Sequence, residues 1–175
     1  MENAVEIALA EETDLPAMVG LLGELFAIER DFVPDAAKQE RGLRLILETP
    51  AIGRIFVVRL AGKTVGMASL LFTVSTASGG HAAILEDVIV ASPYRRLKLG
   101  QRLIRHVQLW AQERDFVRLT LLADRDNDTA LRFYESEGFT RSETMVVYRR
   151  HLGQNGTAQH DAVAPGYFMP SRPTA

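Results

Sequence analysis

The stretch Tyr94–Ile104, YRRLKLGQRLI, has the residue types to hold an anion. Arg95 and Arg96 precede a run that passes through Gly100 and continues with helical spacing. Free backbone N–H groups and the helix dipole favour a phosphate at such a start, and the two arginines add full charges. A basic helix cap with one glycine reads the same way, so this loop alone leaves both interpretations open. Upstream lies Leu85-Glu86-Asp87-Val88. In a regular strand Glu86 alternates onto the face of Val88 and Val90, where a carboxylate could take a proton, or either acid could pair with a basic neighbour. Downstream, Ala130, Phe133, Tyr134 and Glu137 fall at i, i+3, i+4 and i+7 of one helix. By itself Tyr134 reads as a core aromatic with its hydroxyl at the rim.

These residues need elements to position them. Val5–Ala10 alternates like a strand, and Thr13-Asp14 caps a helix with Pro16 in its first turn, running to about Glu29. Pro34 interrupts the pattern before a second helix over Ala36–Leu47. Ile55–Leu60, the turn Ala61-Gly62-Lys63 and Val65–Val74 read as a hairpin. Ser75–Gly80 reads as a polar loop, and His81 beside it as an exposed loop residue rather than a base. Ala82–Val90 follows as a strand, then a helix from about Leu99 to Arg114 and a strand over Val117–Ala123. Asp128–Glu137 is a helix closed by Gly138, and Thr144–Arg149 a last strand. The strand-helix-strand crossover implies two parallel strands and the hairpin antiparallel ones. The fold class is therefore α/β, a mixed sheet with helices on both faces. Residues 1–151 are expected to form one domain. Residues 152–175, rich in Gly, Pro, Ala and polar residues, read as a C-terminal tail.

Composition narrows the chemistry. The chain of 175 residues is 47% hydrophobic and 24% charged, an ordinary globular balance. Lys plus Arg is 20 against 22 Asp plus Glu, net −2, which argues against a dedicated nucleic-acid binder. The absence of cysteine excludes disulfides, thiolate metal sites and cysteine nucleophiles, and the four scattered histidines give no metal-ligand spacing. With no apolar run of membrane-spanning length and no basic signal-like start, the expected location is the cytoplasm, away from membranes.

Two motifs together resemble the GNAT superfamily of N-acetyltransferases. The lead-in Val90-x-x-Pro93-x-Arg95 precedes Arg95-Arg96-Leu97-Lys98-Leu99-Gly100, similar to the family's phosphate loop with Lys98 in place of its first glycine. Asn127 to Phe139 fills every position of Asn-x-x-Ala-x-x-Phe-Tyr-x-x-x-Gly-Phe. The likeness is strong from about Leu85 to Phe139 and fits in element order from Val5 to Arg149. It implies the GNAT fold, with parallel strands that splay to admit acetyl-CoA as cosubstrate. The pyrophosphate would rest on backbone N–H groups from Arg96 through Leu97, Lys98, Leu99 and Gly100 to Gln101. The pantetheine arm would pair with the backbone of Val88, Ile89 and Val90, and Asn127 matches the family's cofactor-side asparagine. Tyr134 matches the tyrosine that protonates the leaving thiolate. Glu86 resembles the glutamate that activates the amine through water in the diamine acetyltransferase branch. Lys98 is expected at negative φ, entering the helix, and a side chain at Gly100 is expected to meet the pyrophosphate.

The resemblance implies direct acetyl transfer to the primary amine of a small molecule. Two other functions stay open: acetylation of a protein lysine or N-terminus, and a CoA-binding regulatory module without catalysis. The acceptor would be chosen by Ala27–Lys38, with Glu29, Asp31 and Asp35, and by Ser75–Gly80. Tyr167–Met169 in the tail is expected to dock on the domain or on a second subunit, the latter making a homodimer.

Overall fold

The computed structural model describes residues 5–29, 33–150 and 152, and the chain divides into two units, Met1–Arg141 and Ser142–Ala175. The first unit runs β1 (Val5–Leu9), α1 (Leu15–Phe26), α2 (Ala36–Glu48), β2 (Gly53–Leu60), β3 (Lys63–Ser75), β4 (Gly80–Val90), α3 (Leu99–Gln112), β5 (Arg118–Leu121) and α4 (Asp128–Ser136). The sheet order is β1-β2-β3-β4-β5. All neighbours pair antiparallel except β4 and β5, the crossover pair, which are parallel.

Period-two alternation divides the sheet between two cores. Phe56, Val58, Ala68, Leu70, Ala83 and Leu85 face α3, which contributes Leu99, Leu103, Ile104 and Val107. Ile55, Val57, Met67 and Ile89 face α1 and α2, meeting Met18, Leu21, Leu22 and Leu43. Helix α2 starts where Pro34 ends the preceding turn: the Asp35 carboxylate accepts the Lys38 N–H at 3.1 Å. The β2–β3 hairpin closes on Ala61 and Gly62, both at positive φ (48° and 75°), the twist that two-residue hairpin turns require.

Alternation breaks where β2 meets β3, with a register shift between Val58 and Arg59, and again, beside the site, in β4. The register with β3 shifts between Met67 and Ser69, and Asp87 takes φ +53°. This is a β-bulge, an extra residue that reverses which face later side chains take. Leu85 faces α3 before it, and Val88 and Val90 pack on that same α3 side after it. The expectation that Glu86 shares a face with Val88 and Val90 is therefore corrected. The pattern assumed a regular strand, and one inserted residue puts Glu86 on the opposite side.

Two further expectations change. His81 lies within β4, its carbonyl accepting the Val117 N–H at 2.8 Å, so it is a strand residue, though exposed. No strand forms over Thr144–Arg149: residues 142–150 carry no helix or strand, and Met145, Val146, Val147 and Tyr148 are exposed. Alternation marks a segment able to pair, but a strand exists only where a neighbour accepts its hydrogen bonds. The tail residues Tyr167–Met169 lie outside the described residues.

A buried ion pair fastens the start of α1 to the sheet. Asp14, 5% exposed, accepts two hydrogen bonds from Arg59 (2.6 and 3.1 Å) and one each from Thr64 and the Glu11 N–H. Burial pushes its pKa up, but the donors from Arg59 and Thr64 outweigh this and hold it below the ordinary 3.8. A lowered native pKa gives stability that is present above the unfolded value and lost as pH falls through the native one. Asp14→Ala should cost about 3 kcal/mol at pH 7, because among the described residues it leaves the part-buried Arg59 charge only the long, exposed contact to Glu6 at 3.4 Å. Urea titrations should show the gap to the parent narrowing below about pH 4. A gap independent of pH would mean the loss is packing alone.

Candidate active site

Strands β4 and β5 pair only from Ala82↔Arg118 to Leu85↔Leu121. Beyond Leu85 they part, because the bulge turns β4 away and β5 ends. The opening is a cleft of about 740 Å³. Glu86, Val88, Ile89, Val90, Arg95, Arg96, Lys98, Leu99, Gly100, Gln101, Asn127 and Tyr134 all line it, so the tertiary structure gathers two distant sequence motifs into one site. Leu97 does not line the cleft and is 56% exposed. Leu99 is buried and anchors the loop in the α3 core.

At one end, the loop before α3 has left-handed backbone at Arg96 (φ 67°) and Lys98 (φ 58°). Alternating hands over successive residues form a nest, a concavity of N–H groups suited to an anion, and the unpaired first N–H groups of α3 extend it. The expected negative φ of Lys98 is thus overturned. As the residue capping α3 it closes the loop in a conformation that costs a lysine about 1 kcal/mol and a glycine almost nothing. Lys98→Gly should therefore stabilise the fold by at most about 0.5 kcal/mol in denaturant unfolding, since the greater freedom of unfolded glycine offsets about 0.4–1 kcal/mol of the strain relieved. It should also change acetyl-CoA affinity by no more than about tenfold. A less stable variant would contradict the strain argument.

A Cβ at Gly100 would lie 3.5 and 3.7 Å from the Phe133 ring, ordinary contact, so packing against α4 does not by itself demand glycine there. The methyl groups of a valine would reach further, toward Phe133 and the cleft. Arg95 is turned back: its Nε donates to the Val90 carbonyl at 3.0 Å, and its guanidinium lies 3.9 Å from Glu24. That occupies one of the carbonyls expected to pair with the pantetheine arm. The side chain of Gln101 donates to Glu137 at 2.9 Å, leaving its backbone for the loop. Buried Glu137 also receives Arg105 at 2.8 Å, and so clamps the end of α4 onto α3. Asn127 caps α4, its Oδ1 accepting the Ala130 N–H at 3.0 Å.

At the chemical end stand Glu86, Asp87 and Tyr134. Tyr134 is half-buried against Phe133 and Phe139, with ring centroids 5.2 and 6.0 Å away. Burial, with a smaller contribution from the Glu29 charge, pushes its phenol up to about 12. It is therefore a hydroxyl at any physiological pH. Asp87 accepts a 2.8 Å hydrogen bond from Ser69 Oγ, whose residue is fully buried. Burial raises the Asp87 pKa, opposed only by that bond. The sequence left Glu86 or Asp87 open as an ion-pair partner and did not place Asp87 in the site. Only the bulge, invisible in residue type, brings it there.

Of the expected acceptor-selecting segments, Glu29 lines the cleft. Asp35 is engaged in capping α2 and pairs with Lys38 Nζ at 3.2 Å, while Asp31 lies outside the described residues. The Ser75–Gly80 turn lines neither this cleft nor a second cavity of about 350 Å³ between α1, α2 and Asp87. Gln39, in the wall of that second cavity, has its Nε2 buried without a hydrogen-bond partner among the described residues. Among the described residues no cluster of acids and histidines could hold a metal, and no helix is long and apolar enough to cross a membrane.

Residues 22–139 match the Acetyltransferase (GNAT) family, and this chain belongs to that family of acetyl-CoA-dependent N-acetyltransferases. An aminoglycoside N(6′)-acetyltransferase type 1 from Serratia marcescens is 30% identical over 114 residues, covering 63% of this chain and 78% of that protein. A namesake from Acinetobacter genomosp. 13 is 28% identical over 71 residues, 41% of this chain, and the match spans about half (49%) of that protein's length. A glucosamine 6-phosphate N-acetyltransferase from Trypanosoma brucei brucei is 27% identical over 149 residues, 81% of this chain and 93% of that protein. Among solved structures, the aminoglycoside N-acetyltransferase AAC(6′)-Iy in complex with CoA superposes with a TM-score of 0.73. It is 18% identical, covering 87% of this chain and 98% of that one, a likeness of fold.

Proposed function

We propose that this enzyme acetylates the primary amine of a small molecule by direct transfer. The observation that carries the reading is that one cleft joins a basic nest at one end to Glu86 and Tyr134 at the other. The relatives named for aminoglycosides and for glucosamine 6-phosphate support a small-molecule acceptor.

The cleft residues fit acetyl-CoA. The nest from Arg96 to Gln101 would hold its pyrophosphate through backbone N–H groups, and the β4 backbone beyond Leu85, unpaired by β5, would receive the pantetheine arm. Bound there, acetyl-CoA supplies a thioester, an acyl group activated toward an amine. The chain's own residues then meet two proton requirements. An alkylammonium, with a pKa of about 10, has no free lone pair, and Glu86 takes its proton, directly or through water. Tyr134, protonated because of its raised pKa, donates to the departing sulfur. Backbone N–H groups at the bulge near Val88 offer a donor to developing negative charge on the carbonyl oxygen.

Acetyl-CoA should bind in the micromolar range and raise the melting temperature, since a ligand of the native state stabilises it by mass action. Thiol release should then be measured with 2-phenylethylamine, spermidine, kanamycin and glucosamine 6-phosphate as acceptors. Absence of binding at millimolar acetyl-CoA, or turnover with peptides alone, would overturn the proposal.

A further inference from the structure

The second cavity shares Asp87 with the main cleft and lies against α1 and α2. Leu22 and Phe26 of α1 and Leu43 and Ile46 of α2 give it an apolar wall. Asp87 is in the wall of both this cavity and the main cleft. Its carboxyl is on the α1–α2 side because the bulge turns it toward Ser69, which lies between Ala68 and Leu70 of the other face. Among the described residues the Ser69 hydroxyl is its hydrogen-bond partner, and no cation within ion-pair distance neutralises it. Lys38, at the cavity's rim, is paired with Asp35.

A carboxyl held largely out of water without a counter-ion is costly unless a cation arrives to pair with it. Of the other polar groups in the chamber's lining, Asp35 is already paired with Lys38 and Gln39 Nε2 offers a single donor, so the chamber rewards hydrocarbon more than it bonds several hydroxyls or a further ammonium. We propose that this cavity is the acceptor subsite. It takes the body of a primary amine carried on a mainly apolar skeleton, and Asp87 receives the ammonium where the cavity meets the cleft. This rests on the acetyltransferase reading above and sharpens it. The preferred acceptors are arylalkyl or alkyl monoamines, and polycations or polyhydroxylated sugars are poorer ones. Glu86, adjacent in the chain and lining the cleft, then faces an amine already held in place.

Gly42 supplies a plug. It is in the cavity's lining, and a Cβ added there would meet nothing within 4 Å. Gly42→Leu therefore adds hydrocarbon to the cavity's lining from an open Cβ position, in a helix where leucine is the better former. Binding of 2-phenylethylamine to the full chain, measured by calorimetry with and without saturating acetyl-CoA, reads the site independently of turnover. The expected result is saturable binding, weakened at least about tenfold by Gly42→Leu and by Asp87→Asn, with acetyl-CoA affinity unchanged in both. In turnover assays, 2-phenylethylamine should show a higher kcat/KM than spermidine or kanamycin, and Asp87→Asn should raise its KM more than it lowers kcat. Binding that survives Gly42→Leu, or a preference for kanamycin or spermidine, overturns the proposal. Loss of 2-phenylethylamine binding in a Gly42→Leu protein that still unfolds like the parent supports it. Binding without any thiol release would leave this subsite standing and refute the acetyltransferase reading instead.

Discussion

Replacing Tyr134 by phenylalanine should lower kcat by about 100-fold or more, the usual range for removing a positioned acid, while leaving acetyl-CoA affinity within about threefold. Phenylalanine keeps the ring that packs against Phe133 and Phe139, so α4 and the cleft wall should survive. What is lost is one O–H. Burial and the Glu29 charge hold that group at about 12, so it cannot be the source of any limb in a pH–rate profile between pH 6 and 10. The variant should thus be slow with an unchanged profile over that span. A phenol this weakly acidic is harder to deprotonate than a thiol, whose pKa is about 8.5, so its main service is a hydrogen bond to charge building on sulfur. Acceptors and acyl donors bind equally to parent and variant in this account. A Tyr134→Phe enzyme that retains parent kcat would show that the sulfur leaves without help from this residue.

Glu86→Gln should also reduce kcat by about 100-fold, with the amine's KM little changed. Glutamine preserves size and hydrogen bonding but cannot take a proton, so the acidic limb that the base contributes should be lost or displaced. The contrast with Asp87 is the informative part. The two acids are neighbours in sequence, but on the proposal above they have separate tasks: Glu86, lining the cleft, would remove the proton, and Asp87, lining both cleft and cavity, would bind the ammonium. A kcat effect for Glu86→Gln beside a KM effect for Asp87→Asn would fit that division. If Asp87→Asn instead removes the acidic limb and Glu86→Gln is silent, Asp87 is the base.

Local pattern made most of the fold legible. Helices α1 to α4 and strands β1 to β5 form where periodicity and caps place them, because burying an apolar face of period 3.6 or 2 is a property of contiguous residues. The parallel pairing of β4 with β5 followed from the crossover between them. The two motifs, at Arg95–Gly100 and Asn127–Phe139, were readable because their chemistry constrains residue type at fixed spacing. Three things were not local. The strand expected over Thr144–Arg149 depended on a partner that no nearby residue encodes. The left-handed turn at Lys98 depended on how the loop must close onto α3, and lysine's identity does not announce a positive φ. The β4 bulge depended on its register against β3, eighteen residues away at Ser69 and Asp87. That register decided which face Glu86 takes and carried Asp87 into a second cavity. Side-chain order along β4 is in the sequence, but the side of the sheet each residue reaches is set by long-range hydrogen bonding.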